Sequence, residues 1–443
     1  MRTVCAAAGA AATYSAKSPT QNPRIAALFL FAAHPPKLPP HNAETLGEAM
    51  TDRTLRGKTA IAGIGETIYY KHGQSPDSEF KLALQAIVKA CDDAGISPHE
   101  VDGFASYGDD RSDGPRLAAA LGIKELKFSN MFWGGGGGGV CGAVGNASAA
   151  VATGMADCVI AFRSLAQGQY RRYGRSGAAA AVAGDDAFLF PYGVMSPAQR
   201  FAMKITRFMH DHGIKQEALR GIALACYHHA QKNPNAVMRG RELDEAKYDS
   251  SRWIIEPFHH LYDCCQENDG SAAVVVVPAE RAKDMKNKPA YVMACGQGGD
   301  HRSAAPVHNM PNYPSSHFGK LAPRLYAMAK MAPSDMGIVQ CYENFTGGVL
   351  MSLVEHGLVK PEEANEFLVK DNLIVEGGKM PLNTSGGNLA ECYMHGLELV
   401  IESVRQIRGT AINQVANNDA AIIMGGPMVT PVSSLILGSE ATL

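Results

Sequence analysis

A duplicated α/β plan, one unit in each of two similar halves, is the fold class this sequence predicts, and three observations predict it. Apolar, β-branched runs of strand length, such as Ala272–Val277 and Ala420–Met424, alternate with stretches of helical period. Six consecutive glycines, 134–139, lead directly into a helix of small residues. A glycine pair, Gly386-Gly387, opens a comparable passage later in the chain. Glycine loop, helix and strand thus follow one another once in each half. Such weak internal similarity points to a duplicated α/β unit whose glycine loops face one site. The same succession also recurs in α/β proteins without a repeat, so alone it does not decide the matter.

At 443 residues and 46% hydrophobic content, the chain can bury a full core. A net charge of −2 gives no basic surface for nucleic acid. The longest apolar run, near Ile25–Ala33, is cut short by His34 and prolines, below membrane-spanning length. Ten cysteines are scattered without a CxxC pair, which fits reduced thiols in a cytoplasmic protein. Residues 1–55 form a separate extension rich in Ala, Pro, Ser and Asn. Its two arginines before residue 50 and its missing amphipathic face argue against a targeting peptide. A disordered tail, or a start placed too early with Met50 as the true start, accounts for it better.

From there the elements follow in order. Thr59–Ile64 reads as a buried strand. Phe80, Leu84, Ile87, Val88 and Cys91 mark one helical face, which Gly95 ends. Gly142–Thr153 reads as a buried helix whose small residues permit close packing, and Cys158–Phe162 as the next strand. Residues 164–200 carry no period and read as a loop insertion over a site. Helical patterns resume over Pro197–His212 and Gln216–Gln231. In the second half, Leu397, Val400, Ile401, Val404 and Ile407 form a helical face, Gly409 stops it, and Ala420–Met424 is a strand.

A glycine loop at a helix start lets the backbone approach a ligand and offers free N–H groups to an anion. It carries no nucleophile. There is no GxGxxG fingerprint with a following acidic residue and no P-loop lysine, so a nucleotide site is not indicated. His259, His260, Asp263, Cys264 and Cys265 do not match zinc spacing. Arg171, Arg172 and Arg175 are either phosphate contacts or a solvated basic loop.

The phrases CDDAGISPHEVDGF, ATGMADCVIAFRS, DCCQENDGSAAVVVV and LNTSGGNLAECYMHGLELVIESVRQIRG are similar to those of the thiolase superfamily, in its lipid-transfer-protein (SCP2-type) branch. The similarity runs from about Thr59 to Gly426. It implies two βαβαβαββ halves, 56–285 and 286–443, in a five-layer α-β-α-β-α sandwich that pairs as a homodimer. Aligned on it, the thiolase nucleophilic cysteine falls on Gly137, and Cys141 lies one turn on as a packing residue. The family's Asn-Glu-Ala-Phe-type motif maps onto Tyr342-Glu343-Asn344-Phe345. Its catalytic histidine maps onto Tyr393, two residues before His395, and its second cysteine falls near Ile423. These departures resemble the steroid side-chain aldolases of the group, which cleave a β-hydroxyacyl-CoA by a retro-aldol reaction and work with an OB-fold DUF35 protein.

The resemblance therefore implies Tyr342 and Tyr393 as the catalytic pair. His395 is a candidate for the neighbouring positive charge or donor that lowers a tyrosine pKa. Gly136, Gly137 and Gly138 are the candidate oxyanion and substrate-binding backbone, with Gly386 and Gly387 as a second candidate. No bound cofactor is implied beyond the coenzyme A thioester substrate. Two other readings stay open: a thiolase-like acyltransferase using Cys141, and a non-catalytic lipid-transfer or scaffold subunit.

Overall fold

The computed structural model describes residues 54–443, apart from 109, 134, 135, 170–183, 302 and 304–311. Residues 1–53 of the predicted extension lie outside the described residues, as do Arg171, Arg172 and Arg175.

The first half of the sheet comprises β1 (Thr59–Glu66), β2 (Gly103–Tyr107), β3 (Phe128–Phe132), β4 (Val159–Ala166) and β5 (Asn268–Pro278). Helix α1 (Glu79–Ala94) lies between β1 and β2, α2 (Gly114–Leu121) between β2 and β3, and α3 (Val140–Ala152) between β3 and β4. Helices α4 (Pro197–His212) and α5 (Gln216–Lys232) precede β5. The second half contributes β6 (Ala290–Gly298), α6 (Leu321–Ala329), β7 (Ile338–Cys341), α7 (Thr346–Glu355), α8 (Leu397–Arg408), β8 (Ala420–Gly425) and β9 (Val432–Gly438).

The strand order is β7-β8-β9-β6-β1-β5-β4-β2-β3, with the two-residue strand Tyr70–Lys71 alongside β5. Numbered within its own half, the first half reads third-second-fourth-fifth-first. The second half repeats that order and the same parallel and antiparallel sense. Its third strand has shrunk to one parallel bridge between Val339 and Leu382. The two halves join where β1 meets β6 through Ala60–Tyr291 and Ile61–Ala290.

Period-two alternation divides the core into layers. Val274 and Val276 of β5 pack inward with α3 and α8, whereas Val275 and Val277 face outward with α1. Ile423 and Leu435 likewise point inward, and Ile422 and Ile436 outward. Helix α3 touches strands of both halves, so the two half-sheets sandwich it. Small residues make this possible: a Cβ on Gly145 would lie 2.2 Å from Cys295 Sγ. Helices α1 and α6 cover the outer faces, which completes the expected five layers.

Local chemistry sets the helix ends. Ser78 caps α1 by accepting from the Lys81 N–H, and Gly95 closes it at φ +74°. Ser196 and Gln199 form a capping box for α4. Two boundaries differ from expectation. β4 continues through Ala166, beyond the start of the predicted loop at 164, because its outer residues stay buried against β5. Helix α3 begins at Val140, preceded by a single tight turn, Gly136–Gly139, so most of the glycine run is already helical.

Candidate active site

Tyr342 follows β7 directly, and its N–H donates to the Met424 carbonyl at 2.9 Å, which continues the β7–β8 pairing. The side chain is almost fully buried, with 2% exposure. Tyr393 lies in the connection before α8, where its N–H donates to Asn268 Oδ1 at 2.9 Å. The two hydroxyls meet: Tyr342 Oη donates to Tyr393 Oη at 2.7 Å. Residues 51 positions apart in sequence thus form one phenol pair.

Gly137 explains why the pair fits. A Cβ on Gly137 would lie 2.1 Å from Tyr342 Cε2 and 2.2 Å from Cζ. The tyrosine ring occupies the space a side chain at 137 needs. The turn is seated from below by Gly426, where a Cβ would lie 2.0 Å from the Gly138 nitrogen. Ser433 Oγ adds a hydrogen bond to the Gly138 carbonyl at 2.6 Å.

Tyr342, Tyr393, His395, Gly136 and Gly137 line one cavity of about 1380 Å³. Gly138 does not line it and packs against the carbonyls of Val429 and Pro431. Gly386 and Gly387 do not line it either. Gly386 packs on Ala230, and Glu343 fills the space beside Gly387, with Oε1 2.1 Å from the position of a Cβ there. The second glycine loop therefore seats a buried carboxyl group, and the first alone reaches the cavity.

His395 holds a left-handed backbone, φ +52°. Its ring lies 4.8 Å from that of Tyr393, nearly perpendicular, so residues 393 and 395 do face the same side. Of the two roles expected of His395, its surroundings disfavour the positive charge and leave the donor. Burial, with Arg163 and Arg111 nearby, holds its pKa well below the usual imidazole value. The cation is Arg163 on β4, whose Nη2 lies 2.8 Å from His395 Nδ1. Burial pushes the Tyr342 hydroxyl well above the ordinary phenol range, so it stays protonated.

Three contributors escaped the sequence reading. Arg163 is fully buried in an apolar strand, and a lone arginine in CVIAFRSLA was its signal. Asn268 holds Tyr393 from within the QENDGS phrase. Gly426 stands in a Gly-Gly-Pro segment directly after β8 and mirrors the glycine run it packs against.

The thiols are placed for other work. Cys141 is wholly buried, absent from the cavity lining, and directs Sγ to the Ile423 carbonyl at 3.4 Å. Cys265 does line the cavity beside Tyr393, but burial pushes its thiol up to about 12. Asp263 accepts from Tyr248 Oη at 2.7 Å and Thr346 Oγ1 at 2.6 Å. It ties the loop to α7. The solvent side of the cavity carries the exposed Arg241, Lys247 and Arg252.

Residues 296–439 match the family described as thiolase C-terminal domain-like. Over 397 residues the chain is 40% identical to a steroid side-chain-cleaving aldolase of Thermomonospora curvata, covering 87% of this chain and 99% of that one. Over 392 residues it is 37% identical to a 17-hydroxy-3-oxo-4-pregnene-20-carboxyl-CoA lyase of Mycobacterium tuberculosis, covering 87% and 100%. A solved Ltp2-ChsH2(DUF35) aldolase superposes with a TM-score of 0.81 at 38% identity, covering 88% of this chain and all of the matched chain (100%). The chain therefore belongs to the steroid side-chain-cleaving aldolases of the thiolase superfamily, which are CoA-dependent carbon–carbon lyases.

Proposed function

We propose that this protein cleaves a bulky β-hydroxyacyl-CoA, of the steroid side-chain class, to a ketone and a shorter acyl-CoA. The observation that carries this reading is the Tyr342–Tyr393 phenol pair over a residue that has no side chain. A retro-aldol step needs a proton acceptor at the β-hydroxyl, a place for the Cα–Cβ electron pair, and a proton for Cα. It needs no covalent acyl-enzyme.

Tyr393, acting as phenoxide, takes the β-hydroxyl proton. The carbon–oxygen bond becomes a carbonyl, the Cα–Cβ bond breaks, and its electron pair moves into the thioester as an enolate. The same proton then returns from Tyr393 to Cα. Nothing is oxidised or reduced. The hydrogen bond that Tyr342 donates stabilises negative charge on the Tyr393 oxygen and keeps the base in place. The backbone at Gly136 and Gly137 faces the thioester.

The cavity exceeds the usual range of about 300–1,000 Å³ for small-ligand pockets, which leaves room for a fused-ring acyl group and pantetheine together. Arg241, Lys247 and Arg252 suit the CoA phosphates at the solvent end. Strand β3 ends the sheet with Ser129, Asn130 and Met131 exposed, an open edge that supports a homodimer. Trp133, Phe188 and Tyr192 are 89%, 77% and 84% exposed, and such aromatics support a further protein partner of the DUF35 type.

The test is product analysis with a 17-hydroxy steroid acyl-CoA, in the presence of a DUF35 partner. Ketone and shortened acyl-CoA should form in equal amounts and fall together in Tyr393→Phe. Ketone formation at the wild-type rate in that variant would refute the reading.

A further inference from the structure

We infer that Arg163 is a positioning residue that locks His395 in the tautomer protonated on Nε2. The neutral Nε2–H is then the side-chain donor that meets the thioester oxygen as the enolate forms. The donor role rests on the aldolase reading above; the tautomer lock does not.

The lock follows from what each group can do. A guanidinium has only N–H donors and no acceptor. Its Nη2 lies 2.8 Å from His395 Nδ1, so Nδ1 must supply the lone pair. The single proton of a neutral imidazole is then on Nε2. Burial and the neighbouring Arg163 and Arg111 disfavour a second proton on the ring.

The geometry is held through both terminal nitrogens of the guanidinium. Arg163 is fully buried on β4, with Asp110 Oδ2 at 3.8 Å from Nη1 and the Tyr107 carbonyl accepting from the same nitrogen. Tyr107 Oη reaches back to the carbonyls of Met394 at 3.3 Å and His395 at 3.1 Å. This clamp maintains the left-handed backbone of His395, a conformation non-glycine residues rarely adopt. A Cβ on Gly136 would stand 3.6 Å from Cε1 of the His395 ring, 3.7 Å from Nε2 and 3.8 Å from Nδ1, so the ring packs on the glycine turn. Both residues line the cavity beside Gly137 and Tyr393.

The electronic consequence favours the reaction. A cation bonded to Nδ1 draws charge from the ring and strengthens Nε2–H as a donor. Positive charge therefore reaches the developing oxyanion through a neutral ring, while the cation stays out of the cavity. A preorganised donor of this kind contributes about 10²–10³-fold to kcat.

The test combines spectroscopy with kinetics on the full chain. In protein labelled with ¹⁵N-histidine, the His395 signals are identified by their loss in His395→Gln. Wild type should show a pyridine-like Nδ1 and a protonated Nε2, unchanged from about pH 6 to about pH 8. Arg163→Met, which leaves no donor at Nδ1, should disturb that Nδ1 signal and lower kcat about 10²-fold with KM within a few-fold. His395→Ala should lower kcat by a similar factor. A wild-type spectrum with the proton on Nδ1, or an imidazolium, overturns the lock even if the Arg163 variant does not fold. An undisturbed Nδ1 signal in folded Arg163→Met also overturns it. Unchanged kcat in His395→Ala overturns the donor role. If the wild-type spectrum is as expected but the protein cleaves no hydroxyacyl-CoA, the aldolase reading fails and the tautomer lock stands.

Discussion

The ring of Tyr342 stands where a side chain on Gly137 would have to go, with Cε2 2.1 Å from the position of a Cβ. The relationship is mutually exclusive. A nucleophile at 137 and a tyrosine at 342 cannot share this backbone. The ring is also too confined to move aside, being buried against Tyr393 and the core below it.

Gly137→Ala should therefore lower stability by about 1–3 kcal/mol, as overpacking does in a filled core. Tyr342→Ala alone also destabilises, by leaving a cavity. In the double variant the two costs should fall short of their sum, because each change relieves the other. Urea unfolding of the four proteins checks this, and additive costs would show that the ring and the glycine do not compete.

The two tyrosines should differ in kinetics. Tyr393→Phe removes the proton carrier and should lower kcat by about 10²–10⁴-fold. Tyr342→Phe removes only a supporting hydrogen bond, worth about 0.5–1.5 kcal/mol, and should cost about tenfold. Steady-state rates on one acyl-CoA rank them; a larger loss at Tyr342 would reverse the assignment.

Charge at the cavity entrance should act on binding. Arg252→Ala and Arg241→Ala should each raise KM several-fold with kcat nearly unchanged, and the effect should shrink as salt screens the phosphates. A kcat loss without a KM change would place these arginines elsewhere in the cycle.

Glu343 gives a pH signature. Burial raises its carboxyl from 4.5 to about 7 in the folded protein. The folded state then holds a proton that the unfolded chain has released between those values, so this group's contribution to stability falls as pH rises through that window. Above about 7 the penalty is constant. Glu343→Gln should therefore gain stability relative to wild type between about pH 4.5 and about pH 7, and then level off. Chemical denaturation at several pH values checks the slope; a difference independent of pH would mean the carboxyl is solvated.

Most of the framework was legible because hydrophobic period and glycine stops are local signals. Helix α8 was read to Ile407 with Gly409 as its end, and it runs Leu397–Arg408 with Gly409 as its cap. The strand edges were less so: β5 begins at Asn268, before the apolar run, because polar Asn268 and Asp269 are buried by pairing and by hydrogen bonds that sequence does not display. In the candidate site, the alignment with the family brought Tyr342, Tyr393 and Gly137 forward. Their mutual fit depends on contacts between residues far apart in the chain. Arg163 and the charge state of His395 depend on burial and on a partner 232 positions away, so no local pattern revealed them. The cavity's indifference to Gly386-Gly387 has the same origin, since Glu343 reaches that loop from the end of β7.

The central claim is a non-covalent retro-aldol cleavage at the tyrosine pair, and mass analysis of a reaction run in D₂O tests it most directly. The shortened acyl-CoA should carry a single deuterium at Cα, with one ketone formed per acyl-CoA and no mass added to any cysteine during turnover. An acyl adduct on Cys265 or Cys141 that forms and decays at the rate of turnover would contradict the account.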